Sequence, residues 1–205
     1  MKSTLAIMKS TLALVALIGV LGFSTDGMSQ IQLSNGDIKV KDIEVEAQPT
    51  PLFQAAGVKN KNIPNPKEWL EMEVEFEVKG DEDKVVPELL FRYYAGFRDE
   101  KGSVRILTGD VKHINVVPGE EYYSSAYVSP STLGQITGDY SRFQPSSVAG
   151  VGVEIYFNGV IIGGSTSTGT KFWAAGTAPA PGVMGKGETP FALLWIDRYA
   201  QAGKK

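Results

Sequence analysis

The chain has 205 residues, 42% hydrophobic and 21% charged, so it can build a core and is not compositionally disordered. Its formal charge is -3, and no Lys/Arg run occurs apart from the last two residues, which excludes a basic nucleic-acid-binding face and disfavours anionic membranes. It has no cysteine and one histidine, His113, which excludes disulfides, thiolate chemistry, cysteine-ligated zinc and a histidine-rich metal site within one chain.

Residues 1–29 read as a cleaved export signal. Lys2 and Lys9 supply the positive region, and Leu12 to Phe23 is apolar and uncharged. That run is too short for an easy membrane span, which needs about 20 apolar residues. Small-x-small patterns place cleavage after Ser24 or after Ser29, the second leaving Gln30 as the new terminus. The repeat K-S-T-L-A at 2–6 and 9–13 suggests a second start at Met8. An uncleaved anchor is the alternative. A pilin-type leader fits poorly, because Gly22-Phe23 follows the apolar run instead of preceding it. The expected location is the periplasm, the outer-membrane surface or the extracellular space, with no stable membrane span once the signal is removed.

One domain over 30–200 and a frayed tail over 201–205 are expected. Ile38 to Glu46 reads as an edge strand whose apolar phase shifts at Lys41-Asp42, the mark of a bulge. Gln48-Pro49-Thr50-Pro51 stops it. A long connection over 47–68 follows, pinned to the body by Leu52, Phe53 and Val58. In Trp69 to Lys79, Leu70, Met72, Val74, Phe76 and Val78 alternate with Glu71, Glu73, Glu75 and Glu77. This period of two is that of a strand with one buried and one solvated face. Glu88 to Arg98 is the next strand; paired with the first, it would set Arg92 and Arg98 opposite the glutamates. Ser103 to Thr108 and Val111 to Val117 read as two short strands, and Glu121 to Val128 as another, rich in tyrosine and serine.

Ser129 caps and Pro130 opens a short helix that Gly138 ends. Val148 to Thr168 is a hairpin around Asn158-Gly159, the favoured pair for a two-residue turn, with both arms apolar enough to lie deep in a sheet. Residues 174–187 read as a flexible Ala/Pro/Gly loop. Thr189 to Tyr199 reads as a helix or a strand, docked through Phe191, Leu194 and Trp195. About eight strands with one or two short helices fit an all-β, antiparallel immunoglobulin-like β-sandwich.

Two groups of side chains are candidates for a partner surface. Glu71, Glu73, Glu75 and Glu77, continuing to Asp81, Glu82 and Asp83, form a carboxylate face. It is either a solvated outer face or a docking face for a cation or basic partner. Alternate residues on a strand lie about 6–7 Å apart, too far for all four to share one ion. Tyr122, Tyr123 and Tyr127 either carry chemistry used at binding surfaces, where exposed rings could stack on sugars, or belong to a core-plus-edge strand, the reading preferred here. His113 has no assignable nucleophile or orienting carboxylate. No catalytic, cofactor or metal residues are assigned.

The phrases I-E-V-E-A-Q-P-T-P at 43–51, K-E-W-L-E-M-E-V-E-F at 67–76, Y-A-G-F at 94–97 and T-P-F-A-L-L-W-I-D-R-Y at 189–199 together resemble exported β-sandwich proteins of the Verrucomicrobia and Planctomycetes, encoded with type IV pilus-like genes. The resemblance implies an immunoglobulin-like fold and an accessory or assembly role beside a pilus or secretion apparatus. Its partners would be an envelope or pilus-system protein or a second copy of the chain, and it brings no catalytic residues. A surface adhesin or carbohydrate/mucin-binding module is the alternative, carried by Tyr122, Tyr123, Tyr127 or the 47–68 loop. A hydrolase, the third reading, would need a carboxylate pair about 5–9.5 Å apart in a cleft.

Overall fold

Alternating apolar residues become strands stacked in two layers. The computed structural model describes residues 31–54, 56, 57, 59, 63–174, 176 and 178–203. The expected signal over 1–29, Val58 and the final two lysines lie outside the described residues. In chain order the strands are β1 (Ile38–Pro49), β2 (Glu68–Val78), β3 (Val86–Arg98), β4 (Val104–Val116) and β5 (Glu121–Val128). Helix α1 (Pro130–Thr137) precedes β6 (Val148–Phe157), β7 (Val160–Thr166), β8 (Ala180–Pro181) and β9 (Val183–Gly185). One sheet has the order β1-β2-β5-β9, the other β7-β6-β3-β4-β8. All neighbours are antiparallel except β4 and β8. The fold is an all-β sandwich.

The core lies between β2 and β3. Leu70, Met72, Val74, Phe76 and Val78 meet Leu89, Phe91, Tyr93, Ala95 and Phe97, all with 0% exposure. The Phe76 and Phe91 ring centroids are 4.7 Å apart. Burying each large apolar side chain contributes about 1.5–3 kcal/mol, which is why the period-two pattern dominates the fold. The expected bulge in β1 is present between Val40 and Asp42, and β1 is an edge strand.

Several expectations are corrected. The β2 strand pairs with β1 and β5, and β3 stands in the opposite sheet. Stacking the main apolar faces of β2 and β3 across a shared core buries both at once; side-by-side pairing would leave both needing another layer. Arg92 therefore binds Asp110 through two hydrogen bonds of 2.8 and 2.9 Å and lies 5.2 Å from the Tyr156 ring centre, away from the glutamates. The two short strands expected at 103–117 are one, β4. Gly109 does not break it; a side chain there would run into the Val183 carbonyl, so the glycine admits the β9 segment.

Helix α1 has the expected caps: Ser129 Oγ accepts from the Thr132 N–H, and Gly138 is left-handed with φ 76°. Asn158 and Gly159 both have positive φ, 49° and 79°, as their turn requires. The hairpin is not deep throughout, because β6 is interior while β7 is an edge that exposes Val160 and Ile161. Leu52 and Phe53 do not pin the long connection; both are exposed. Residues 174–187 are not simply loop: β8 joins one sheet and β9 the other, with only Gly182 between them.

The 189–199 segment is neither helix nor strand. It consists of turns ending in a single 3-10 turn at Ile196–Arg198, entered through Trp195 in a left-handed conformation (φ 49°, ψ 44°). The tail is not frayed up to residue 203. The Ala200 N–H donates to the Tyr123 carbonyl at 2.9 Å, the Ile114 N–H to Gln201 at 2.9 Å, and the Gly203 N–H to Lys112 at 2.8 Å. Residues 186–203 thus form a strap that ties β5 in one sheet to β4 in the other.

Candidate functional site

The outer face of the first sheet is built by register. Glu44 stands opposite Glu73, Glu46 opposite Glu71, and on the other side Glu71 pairs with Tyr127 and Glu75 with Tyr123. Like charges directly opposite one another destabilise a sheet. Cations and hydroxyls brought from elsewhere in the chain relieve that repulsion. Lys41 Nζ lies 3.6, 3.5 and 2.9 Å from Glu75, Glu77 and Glu121. Arg198 pairs with Glu73, its Nε donating at 3.2 Å, and its guanidinium carbon sits 3.9 Å from the Tyr123 ring centre. The Tyr199 hydroxyl donates to Glu73 at 2.7 Å, and the Tyr127 hydroxyl donates to Glu71.

Lys41 and Arg198 balance the carboxylate face, on which Glu75 and Glu77 stay partly open, while Glu71 and Glu73 depart from the expected solvation. Glu71 is buried, and Glu73 keeps only 12% of its side chain exposed. Burial pushes the Glu71 carboxyl above its ordinary range; bonds from Tyr127 and Gln48 offset this in part, while Glu73 and Glu46 add to it. The neighbouring Glu121 carboxylate holds Glu75 up, and Lys41 draws Glu121 down. Burial holds the Tyr127 hydroxyl far above its usual range, with Glu71 adding to the effect, so Tyr127 acts as a donor and not as an acid. Lys186, whose ammonium is pulled down by burial, donates to the Leu194 carbonyl and lies 4.8 Å from the Tyr199 ring centre.

The expected tyrosine surface is mostly occupied. Tyr127 is fully buried and stacks on Phe191 with centroids 4.8 Å apart. Tyr123 lies under Arg198, and Tyr122 stacks on Phe76 at 5.7 Å while its hydroxyl donates to Glu120. What faces solvent is the strap: Leu193, Trp195 and Ile196 are 73%, 49% and 62% exposed. Beside them a groove of about 240 Å³ runs between Glu44, Glu46 and Gln48 of β1 and the strap's Trp195 and Arg198. Sequence periodicity could not reveal the strap residues, since they lie on no regular element. The one legible signal was a basic and aromatic pair, Arg198-Tyr199, in a chain with an excess of carboxylates.

His113 acquires a serine partner that its strand context did not show. The Tyr93 hydroxyl donates to Ser124 Oγ at 2.7 Å, and Ser124 Oγ lies 2.7 Å from His113 Nε2. His113 Nδ1 lies 3.3 Å from the Ala200 carbonyl. One proton arrangement satisfies all three contacts: Ser124 donates to Nε2, and Nδ1–H donates to Ala200. Burial pushes the imidazole down to about 4, so it is neutral. The orienting group is a carbonyl, and Ser124 is fully buried. This relay joins the two sheets to the strap. Among the described residues no cluster of three or more His, Cys, Asp or Glu is placed to hold a metal, and no helix is long and apolar enough to cross a membrane.

A crystal structure of a protein from Akkermansia muciniphila is similar to the chain, with 25% sequence identity and a TM-score of 0.69, over 82% of this chain and 93% of that one. No curated protein matches significantly. A protein-family model matches residues 29–205. The chain belongs to that family, with a solved structural relative among the Verrucomicrobia.

Proposed function

We propose that this is an exported, non-enzymatic protein of the cell envelope that acts by binding other proteins, as an accessory or assembly component of a pilus-like or secretion system. The observation that carries the reading is the strap: it covers the carboxylate face and turns Leu193, Trp195 and Ile196 outward. Three exposed apolar side chains within four residues of the strap, beside the charged Arg198, suit contact with another protein. The strand adjacency supports the immunoglobulin-like assignment. With β1, β2 and β5 in one sheet and β7, β6, β3 and β4 in the other, the order follows the A-B-E and G-F-C arrangement of that sandwich, extended by one strand. The leader composition supports export, with cleavage after Ser24 or Ser29.

The test is fractionation of native cells carrying an epitope-tagged chain, followed by cross-linking in intact cells. The expected result is an envelope location and a cross-linked complex with an envelope protein or a second copy, lost in a Leu193→Ser/Ile196→Ser variant that still folds. A cytoplasmic chain overturns the reading, and so does an envelope chain that cross-links to nothing.

A further inference from the structure

Among the described residues, three large aromatic side chains stand exposed: Phe53, Tyr140 and Trp195. Phe53 lies on the long connection, and Trp195 borders the acidic groove of the strap. Tyr140, 54% exposed, sits at a different place: the cleft between the β3–β4 turn, the C-terminal half of α1 and the segment leading into β8. That cleft holds about 480 Å³, within the roughly 300–1,000 Å³ of small-molecule sites.

The ring is held in place from behind. Gly134 of α1 lies directly under it, and a side chain at that position would meet three ring carbons at once. The ring, 54% exposed, lines the cleft together with Gly134. The floor is apolar, with Leu107 nearly buried and Ile136 beside it. The rim is polar and charge-balanced: Asp99 and Glu100 against Lys101 and Arg105, with the Gln135 amide between. The rim's backbone is also fixed. Asp99 Oδ1 accepts from the Lys101 and Ser103 N–H groups at 3.0 and 2.8 Å, and the Glu100 carboxylate packs on Gly138, where only a glycine leaves room.

These features select a ligand chemistry. An anionic ligand would call for a cationic rim, and a cationic ligand for an anionic one; this rim has two charges of each sign. A neutral molecule with one apolar face and a ring of hydroxyls matches it. A pyranose sugar has that form: its C–H face stacks on an aromatic ring, and its hydroxyls both donate to carboxylates and accept from guanidinium and amide groups. We propose that the Tyr140 cleft binds a neutral saccharide, with the Tyr140 ring as platform and Arg105, Gln135 and Glu100 as hydroxyl partners. This places sugar binding away from Tyr122, Tyr123 and Tyr127, whose faces are taken up by Phe76, Arg198 and Phe191.

The experiment is saturation-transfer-difference NMR on the purified protein with N-acetylglucosamine, galactose and lactose as probes. The expected result is transfer to the ring protons of at least one probe. Tyr140→Ala should weaken that binding by about tenfold or more, Tyr140→Phe should retain it, and Trp195→Ala should leave it unchanged. Thermal melts establish that each variant folds. If Tyr140→Ala does not fold, Arg105→Ala, on an exposed side chain, carries the same test. Transfer to none of the three probes at millimolar concentration overturns the proposal, and so does binding indifferent to these cleft substitutions. Cross-linking of the strap variants is unaffected by either outcome, so the two proposals fail separately.

Discussion

Replacing Phe191 with alanine tests what holds the strap down. Phe191 is 1% exposed, its ring stacked on Tyr127 at 4.8 Å and set edge-on to Trp69 at 5.8 Å. A buried phenylalanine truncated to alanine costs about 3–5 kcal/mol, and the strap can relax into part of the space, so about 3 kcal/mol is expected. For a domain of this size each kcal/mol lowers Tm by about 2–4 °C, giving a fall of roughly 6–12 °C. Arg198→Ala removes the pair with Glu73, but the arginine side chain is 46% exposed. Solvent screening limits that pair to about 1 kcal/mol or less. Urea and thermal melts measure both variants. Hydrogen exchange at the Ala200 and Gly203 amides reads strap release directly, since these bond to Tyr123 and Lys112. With Phe191→Ala, both amides should exchange about a hundredfold faster. If Arg198→Ala costs more than Phe191→Ala, the strap is held by charge and the burial argument fails.

His113 makes stability depend on pH. Its folded value, about 4, lies below the ordinary 6.5, so the unfolded chain takes up a proton that the folded chain refuses. The stabilisation is complete above pH 6.5 and is lost progressively as pH falls towards 4, by about 3 kcal/mol in all. Glu71, held above its usual range, acts in the opposite direction, so the informative quantity is the difference between wild type and His113→Gln in urea midpoints at pH 7 and pH 4.5. Equal pH slopes in the two proteins would show that the imidazole is not buried neutral. Gly109→Ala should cost about 1–3 kcal/mol by pushing Val183 and β9 off β4, whereas Gly187→Ala, with open space around it, should be near neutral by the same melt. Millimolar calcium should leave Tm unchanged, because Lys41, Arg198 and Tyr199 already engage the carboxylates; a calcium-dependent rise would reopen the acidic face as an ion site.

Much of the scaffold was legible in the sequence because it is local. The phase of β2, the bulge in β1, the caps of α1 and the Asn158-Gly159 turn each depend on a few neighbouring residues and on the backbone geometry those residues allow. The strap was illegible for the opposite reason. Its irregular backbone has no period, and its side chains are placed by contacts far away in sequence, such as Arg198 on Glu73. The same is true of the Tyr140 cleft, where a turn, a helix and a loop meet only in the folded chain.

Alternation determined that Leu70 to Val78 and Leu89 to Phe97 each present one apolar face, since side chains on a strand point alternately to its two sides. Only the tertiary structure decided that these two faces meet across a sandwich, which removed Arg92 from the glutamates. It also decided which carboxylates face water. An acidic residue on an outer face is solvated unless another part of the chain reaches it, and here residues 186–203 do. Four glutamates with identical sequence settings thus acquire different fates, Glu71 buried under tyrosine hydroxyls and Glu77 left partly open beside Lys41, because burial depends on where the end of the chain comes to rest.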